Sequence, residues 1–129
     1  MKKKYSILIV DDDKFLLEMY KKKFDQLGIT LDMSVGSNDA LTKLRGGLTP
    51  DILVFDIIMP GIDGIELLET VRKENLSPES IVIMLTNESD SKTIERAKEL
   101  GIEGYIVKAT SIPSEVAAEV VRIANKKKI

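Results

Sequence analysis

Five apolar runs alternate with five segments of helical periodicity along the chain. This order predicts an α/β fold, a doubly wound five-stranded parallel sheet of order 2-1-3-4-5 with helices on both faces. Two further observations support it. The first, third and fourth runs are apolar throughout, as strands covered on both sides should be, whereas the second alternates and the fifth is short, which suits sheet edges. The length of 129 residues fits one domain spanning residues 1–129 and excludes an eight-fold barrel, which needs roughly 250 residues.

Tyr5–Val10 is the first strand, stopped by Asp11. From Lys14 the residues Leu16, Met19, Tyr20, Phe24 and Leu27 recur at helical spacing, with Met19 and Phe24 read as core and Gly28 as the stop. Ile29, Leu31, Met33 and Val35 alternate with polar residues, the pattern of a strand with one exposed face. Ser37 is placed to cap a helix through Leu44 that Gly46 and Gly47 end. Ile52–Phe55 is a short buried strand stopped by Asp56. Pro60, Gly61 and Gly64 form a loop, in which Asp63 reads as a turn or cap residue, before a helix over Ile65–Lys73. Ile81–Leu85 is a strand stopped by Thr86, and Lys92–Leu100 a helix. Gly104–Val107 is a strand stopped by Lys108, and Pro113 opens a last helix that runs into Lys126–Lys128.

Composition removes whole classes of chemistry. Cysteine and histidine are absent, so disulfides, thiolate zinc sites, cysteine nucleophiles, histidine triads and histidine metal sites are excluded. Any chemistry runs on carboxylates, hydroxyls, lysine or a bound ion. Lys and Arg total 19 against 21 Asp and Glu, a net charge of −2, so no nucleic acid is expected as a partner of this domain. The apolar run before Asp11 is too short for a signal peptide or a membrane span, which points to the cytosol.

The informative residues are those that stop the strands. In a parallel sheet Asp11, Asp56, Thr86 and Lys108 all lie at the carboxyl edge, where open α/β proteins bind ligands. Asp11, Asp12 and Asp56 then meet in one crevice, with Thr86 and Lys108 on its far side. Three adjacent carboxylates call for a hard cation, and Mg²⁺ suits a site with few carboxylates and room for water. A cation, an ammonium and a hydroxyl around a carboxylate form a receptor for a phosphoryl group, with Asp56 as the central nucleophile. One aspartate of the Asp11–Asp13 triplet is also expected to cap the following helix.

The segments ILIVDDD, VFDIIMPGIDG, IVIMLTN and GYIVK together resemble the receiver domain of two-component response regulators, chemotaxis regulators included, over nearly the whole chain. The resemblance implies a flavodoxin-like fold and a phospho-accepting switch, not an enzyme, with Mg²⁺-dependent self-phosphorylation and dephosphorylation chemistry. Asp56 would accept a phosphoryl group from a sensor histidine kinase, a phosphotransfer protein or a small phosphodonor. Asp11, Asp12, Asp56 and the backbone carbonyl of Ile58 would hold Mg²⁺. Thr86 and Lys108 would contact the phosphoryl group, and Tyr105 would turn inward as Thr86 moves. Pro60 and Gly64 match the loop after the acceptor. A downstream effector would dock on the face of the fourth helix, fifth strand and fifth helix, without a membrane.

Two positions depart from the family pattern. Asn87 stands beside the phosphoryl site where the family carries Ala or Gly, and can slow access or supply a hydrogen bond. Ala109 follows Lys108 where the family has a cis proline, so a trans, rearranged loop is expected there. The alternative is a pseudo-receiver that keeps the fold and the partner surface without phosphotransfer. A flavin protein of the same topology is disfavoured because Asp11–Asp13 would repel the flavin phosphate.

Overall fold

The computed structural model describes residues 5–86, 91–108 and 112–127. The elements run β1 (Ser6–Asp11), α1 (Lys14–Gln26), β2 (Thr30–Val35), α2 (Ser37–Arg45), β3 (Ile52–Asp56), α3 (Gly64–Lys73), β4 (Ile81–Thr86), α4 (Ser91–Glu99), β5 (Gly104–Val107) and α5 (Pro113–Lys127). All strand pairs are parallel and the sheet order is β2-β1-β3-β4-β5, as the alternation of elements predicts.

Because side chains alternate across a strand, the sheet separates two cores. Ile7 and Ile9, Ile52 and Val54, Ile81, Ile83 and Leu85, and Ile106 face α1 and α5 and pack on Leu17, Tyr20, Phe24, Val116 and Val120. Leu8 and Val10, Leu53 and Phe55, and Val82 and Met84 face the other way, onto Leu41, Leu44, Leu67, Leu68, Val71 and Ala97 of α2, α3 and α4. Each fully buried Leu, Ile, Val or Phe stabilises the fold by about 1.5–3 kcal/mol relative to exposure. At the amino edge, the Tyr5 hydroxyl donates to Asn125 Oδ1 at 2.6 Å, fastening the chain before β1 to the end of α5.

Three sequence expectations change. The buried stripe of α1 is Leu17, Tyr20 and Phe24, while Met19 is 50% exposed and Leu27 54%. So many apolar residues occupy α1 that two helical registers fit the pattern, and packing against α5 selects one. In β2, Ser34 is fully buried and Val35 exposed. Both α1 and α2 pack on this strand, and the expected polar face is covered at Ser34 while Thr30 and Asp32 stay exposed. Ser37 is not a cap. Gly36 holds that position at φ 89, a left-handed conformation open to glycine, and makes no side-chain cap bond. The Ser37 hydroxyl instead donates to the carbonyl of Ile62 at 2.8 Å, tying α2 to the loop that follows β3.

Candidate functional site

The Asp triplet divides into three roles. Asp11 ends β1 fully buried, and its Oδ1 accepts the Asp13 amide at 3.0 Å. Asp13 caps α1, its carboxylate accepting the Leu16 amide at 3.1 Å. Asp12, between them, is exposed. The expected cap is therefore Asp13, which leaves the other two carboxylates available.

Asp56 ends β3 and is 2% exposed. Its position is set by backbone packed tightly behind it. The Ile57 amide donates to the Leu85 carbonyl at 2.9 Å, and the Gly64 amide donates to the Ile57 carbonyl at 2.8 Å. A Cβ on Gly64 would stand 2.3 Å from the Asp56 carbonyl oxygen, so only glycine allows α3 to start so close to β3. Asp63 caps α3 in a reciprocal capping box with Glu66. The loop after Asp56 is thus held at both ends, and Ile58, whose side chain is exposed, lies within it.

Lys108 follows β5 and spans the two buried carboxylates. Its Nζ lies 3.0 Å from Asp11 Oδ2 and 3.2 Å from Asp56 Oδ2. The other Asp56 oxygen, Oδ1, is buried and accepts no hydrogen bond among the described residues. One oxygen from each of Asp11, Asp12 and Asp56 falls within 4.8 Å of the others. One lysine against three carboxylates leaves excess negative charge in a confined space. Burial, and then the neighbouring Asp11 charge, push the Asp56 carboxyl up to about 6, with Lys108 opposing. For Lys108, burial disfavours the charged form, yet the Asp11 hydrogen bond and the Asp56 and Asp11 charges outweigh it and raise its pKa. Burial first lifts the phenol of Tyr20, on α1, to about 12. A cluster of hard oxygens with an unpartnered buried acceptor fits a hard divalent cation.

Thr86 ends β4 at 4% exposure. It reaches the same edge from the opposite side of the sheet. Asp11 and Asp56 follow the alternation of the α1/α5 face, whereas Thr86 follows Val82 and Met84 on the α2/α3/α4 face. Tyr105 shares that second face, pairing with Met84 as Thr86 pairs with Val107. Its ring is 41% exposed, with Lys98 Nζ 5.8 Å from the ring centroid. Of the site residues expected from sequence, Asn87 lies outside the described residues, as does Ala109 in the loop after Lys108. Sequence reasoning assigned Gly64 to the loop but missed how it positions Asp56; the signal available was a glycine directly following the Asp63 cap.

The fold and the site define a class: an open α/β domain with a lysine-bridged carboxylate pocket at the carboxyl edge of its sheet. The sequence profile described as the response regulator receiver domain matches residues 7–119. The chain is 34% identical over 102 residues to the Regulator of RpoS of Escherichia coli K12, covering 79% of this chain and 29% of that protein. It is 32% identical over 114 residues to the DNA-binding response regulator MtrA of Mycobacterium tuberculosis, covering 88% of this chain and 48% of MtrA. A CheY-like receiver domain structure from Methanospirillum hungatei superposes with a TM-score of 0.84 at 25% identity, covering 98% of each chain. The chain therefore spans under half the length of these two relatives.

The chain belongs to the response regulator receiver domain family. Receiver domains of two-component systems are phospho-accepting switches, and the family binds Mg²⁺ at an acidic pocket of the kind formed here by Asp11, Asp12 and Asp56. The pseudo-receiver alternative is not favoured, because Asp11, Asp12, Asp56, Thr86 and Lys108 are all present. No helix among the described residues is long and apolar enough to cross a membrane.

Proposed function

We propose that Asp56 is the phospho-acceptor of a signalling switch and that residues 1–129 act as one receiver unit. The observation that carries this is the asymmetry of the Asp56 carboxylate: Oδ2 is held by Lys108 at 3.2 Å and Oδ1 is buried without a hydrogen bond. An oxygen of that carboxylate attacks the donor phosphorus, the bond to the donor's leaving nitrogen or oxygen breaks, and an aspartyl phosphate results. Asp11, Asp12, Asp56 and the Ile58 carbonyl would hold Mg²⁺, which supplies charge neutralisation at the phosphoryl oxygens when bound. Lys108 offers its ammonium to the same oxygens, and Thr86 its hydroxyl from the other side of the sheet.

The donor is a sensor histidine kinase, a phosphotransfer protein or a small acyl phosphate, acting in the cytosol. The output is a change at Tyr105 that alters the face made by α4, β5 and α5, where a downstream effector docks. Incubation with acetyl phosphate and Mg²⁺ should add one phosphoryl group in a base-labile linkage, read by intact mass, and Asp56→Asn should abolish it. An unmodified wild type, or a modified Asp56→Asn, would overturn the assignment.

A further inference from the structure

The loop between β3 and α3 carries Ile58, and hydrogen bonds at Ile57 and Gly64 pin its two ends. Between those ends it is held less evenly. Ile57 and Met59 are buried in the core shared with α2 and α3, but the Ile58 side chain is 59% exposed, so apolar packing does not hold that residue. Ile58 and Met59 also border a cleft of about 500 Å³ whose far wall includes Thr93 and Arg96 of α4, which leaves the loop room to shift. A directional contact comes from α2. Ser37 is 5% exposed, and its hydroxyl donates to the Ile62 carbonyl at 2.8 Å. A serine at a helix start ordinarily serves the amides of its own helix. Here α2 begins without a side-chain cap bond, at Gly36, and the neighbouring hydroxyl is committed to a loop 25 residues away.

We infer that Ser37 is a positioning residue for the reaction at Asp56: its hydroxyl holds the loop in the arrangement from which the Ile58 carbonyl serves Mg²⁺. Ser37 has this role only if Asp11, Asp12, Asp56 and Ile58 hold the ion, the reading on which the inference rests. Apolar contacts are non-directional, whereas a hydrogen bond to a carbonyl fixes the orientation of a peptide plane. Without the hydroxyl, the loop divides its time between the competent arrangement and others. The apparent affinity for the ion then falls in proportion to the competent fraction. Saturating Mg²⁺ restores the competent arrangement by mass action, so the maximal rate of phosphoryl transfer survives. Ser37 therefore acts on the concentration of Mg²⁺ required and not on the chemical step, because its hydroxyl touches none of the carboxylates.

The test follows acetyl phosphate labelling by intact mass across a Mg²⁺ series, at a temperature where every variant is folded. Ser37→Ala should raise the half-saturating Mg²⁺ concentration by about two- to tenfold, the upper limit being the full worth of an ordinary hydrogen bond. Its rate at saturating Mg²⁺ should match the wild type. Calorimetric titration with Mg²⁺ alone should show the same factor, and the metal-free variant should exchange amides faster in the loop after Ile57 than in α1 or α5. Thr42→Ala, which removes a hydroxyl bond to the Asn38 carbonyl within α2, should move none of these. An unchanged Mg²⁺ requirement in Ser37→Ala, a lowered maximal rate with an unchanged requirement, or an equal shift in Thr42→Ala would each overturn the inference. A wild type that binds Mg²⁺ yet takes no phosphoryl group would overturn the phospho-acceptor reading instead, and calorimetry and exchange would still decide the role of Ser37. A wild type that binds no Mg²⁺ would overturn both.

Discussion

Asp56 is a buried acid that the folded chain protonates more readily than the unfolded chain does, and stability carries the mark of it. Below the ordinary carboxyl value of 3.8 both states hold the proton and Asp56 contributes no pH dependence. Between 3.8 and about 6 the unfolded chain ionises first and stability falls; above about 6 the loss is complete. A displacement of this size corresponds to roughly 3 kcal/mol. Asp56→Asn should therefore raise the melting temperature of the metal-free protein at pH 7 and leave it unchanged near pH 3.5. Thermal denaturation across that range, with equal gain at both ends, would show that the carboxylate is not the strained group. Gly64 is the second residue whose identity is dictated, since its missing Cβ would meet the Asp56 carbonyl at 2.3 Å. Gly64→Ala should destabilise by about 1–3 kcal/mol, the usual overpacking cost, and slow acetyl phosphate labelling beyond what denaturant midpoints explain. Both carboxylates and the lysine were legible in the sequence because each ends a strand. Strand order also brings Lys108 to that crevice, but its bridging of Asp11 Oδ2 and Asp56 Oδ2, 97 and 52 positions away, is set by packing that local spacing does not show.

Among the elements, α4 is fastened to α3 near its end. Arg72 of α3 donates to the carbonyls of Leu100 and Gly101, at 2.9 and 3.1 Å, where α4 ends, a cation placed on the negative end of the helix dipole. Arg96 pairs with Glu69 of α3 at 2.7 Å near the same end. Removing the guanidinium in Arg72→Met should cost about 1–2 kcal/mol and speed amide exchange at the end of α4 while leaving α1 and α5 protected. Uniform acceleration throughout would argue against a local clamp. Element order and type were readable along the whole chain because the shift between continuous and 3.6-residue apolar patterns is sharp. The cap of α2 was not. The Ser37 hydroxyl looked local but serves Ile62, 25 residues away, and local spacing cannot register a partner at that distance.

Across the whole molecule, the proposed switch joins two sides of one sheet. Asp11 and Asp56 belong to the α1/α5 side, and Thr86 and Tyr105 to the other, so the two sets meet only at the carboxyl edge. Beryllofluoride with Mg²⁺ should shift amide NMR signals at Thr86, Tyr105 and α4, with α2 quiet. Thr86→Ala should still bind the mimic and lose the Tyr105 response; a full response in that variant would mean the signal takes another route. The strand-end pattern was legible as one site, but its division between faces emerged only once the register was known, because a sequence shows which residues end strands and not how neighbouring strands are phased. The two separate cores have an evolutionary corollary. Substitutions among Leu17 and Phe24 of α1 and Ile7 and Ile9 of β1 can drift and compensate one another without disturbing the layer of α2, α3 and α4, on whose side Thr86 and Tyr105 lie. Robustness and responsiveness are therefore free to be tuned by different mutations, and relatives with similar melting behaviour need not answer to the same partners.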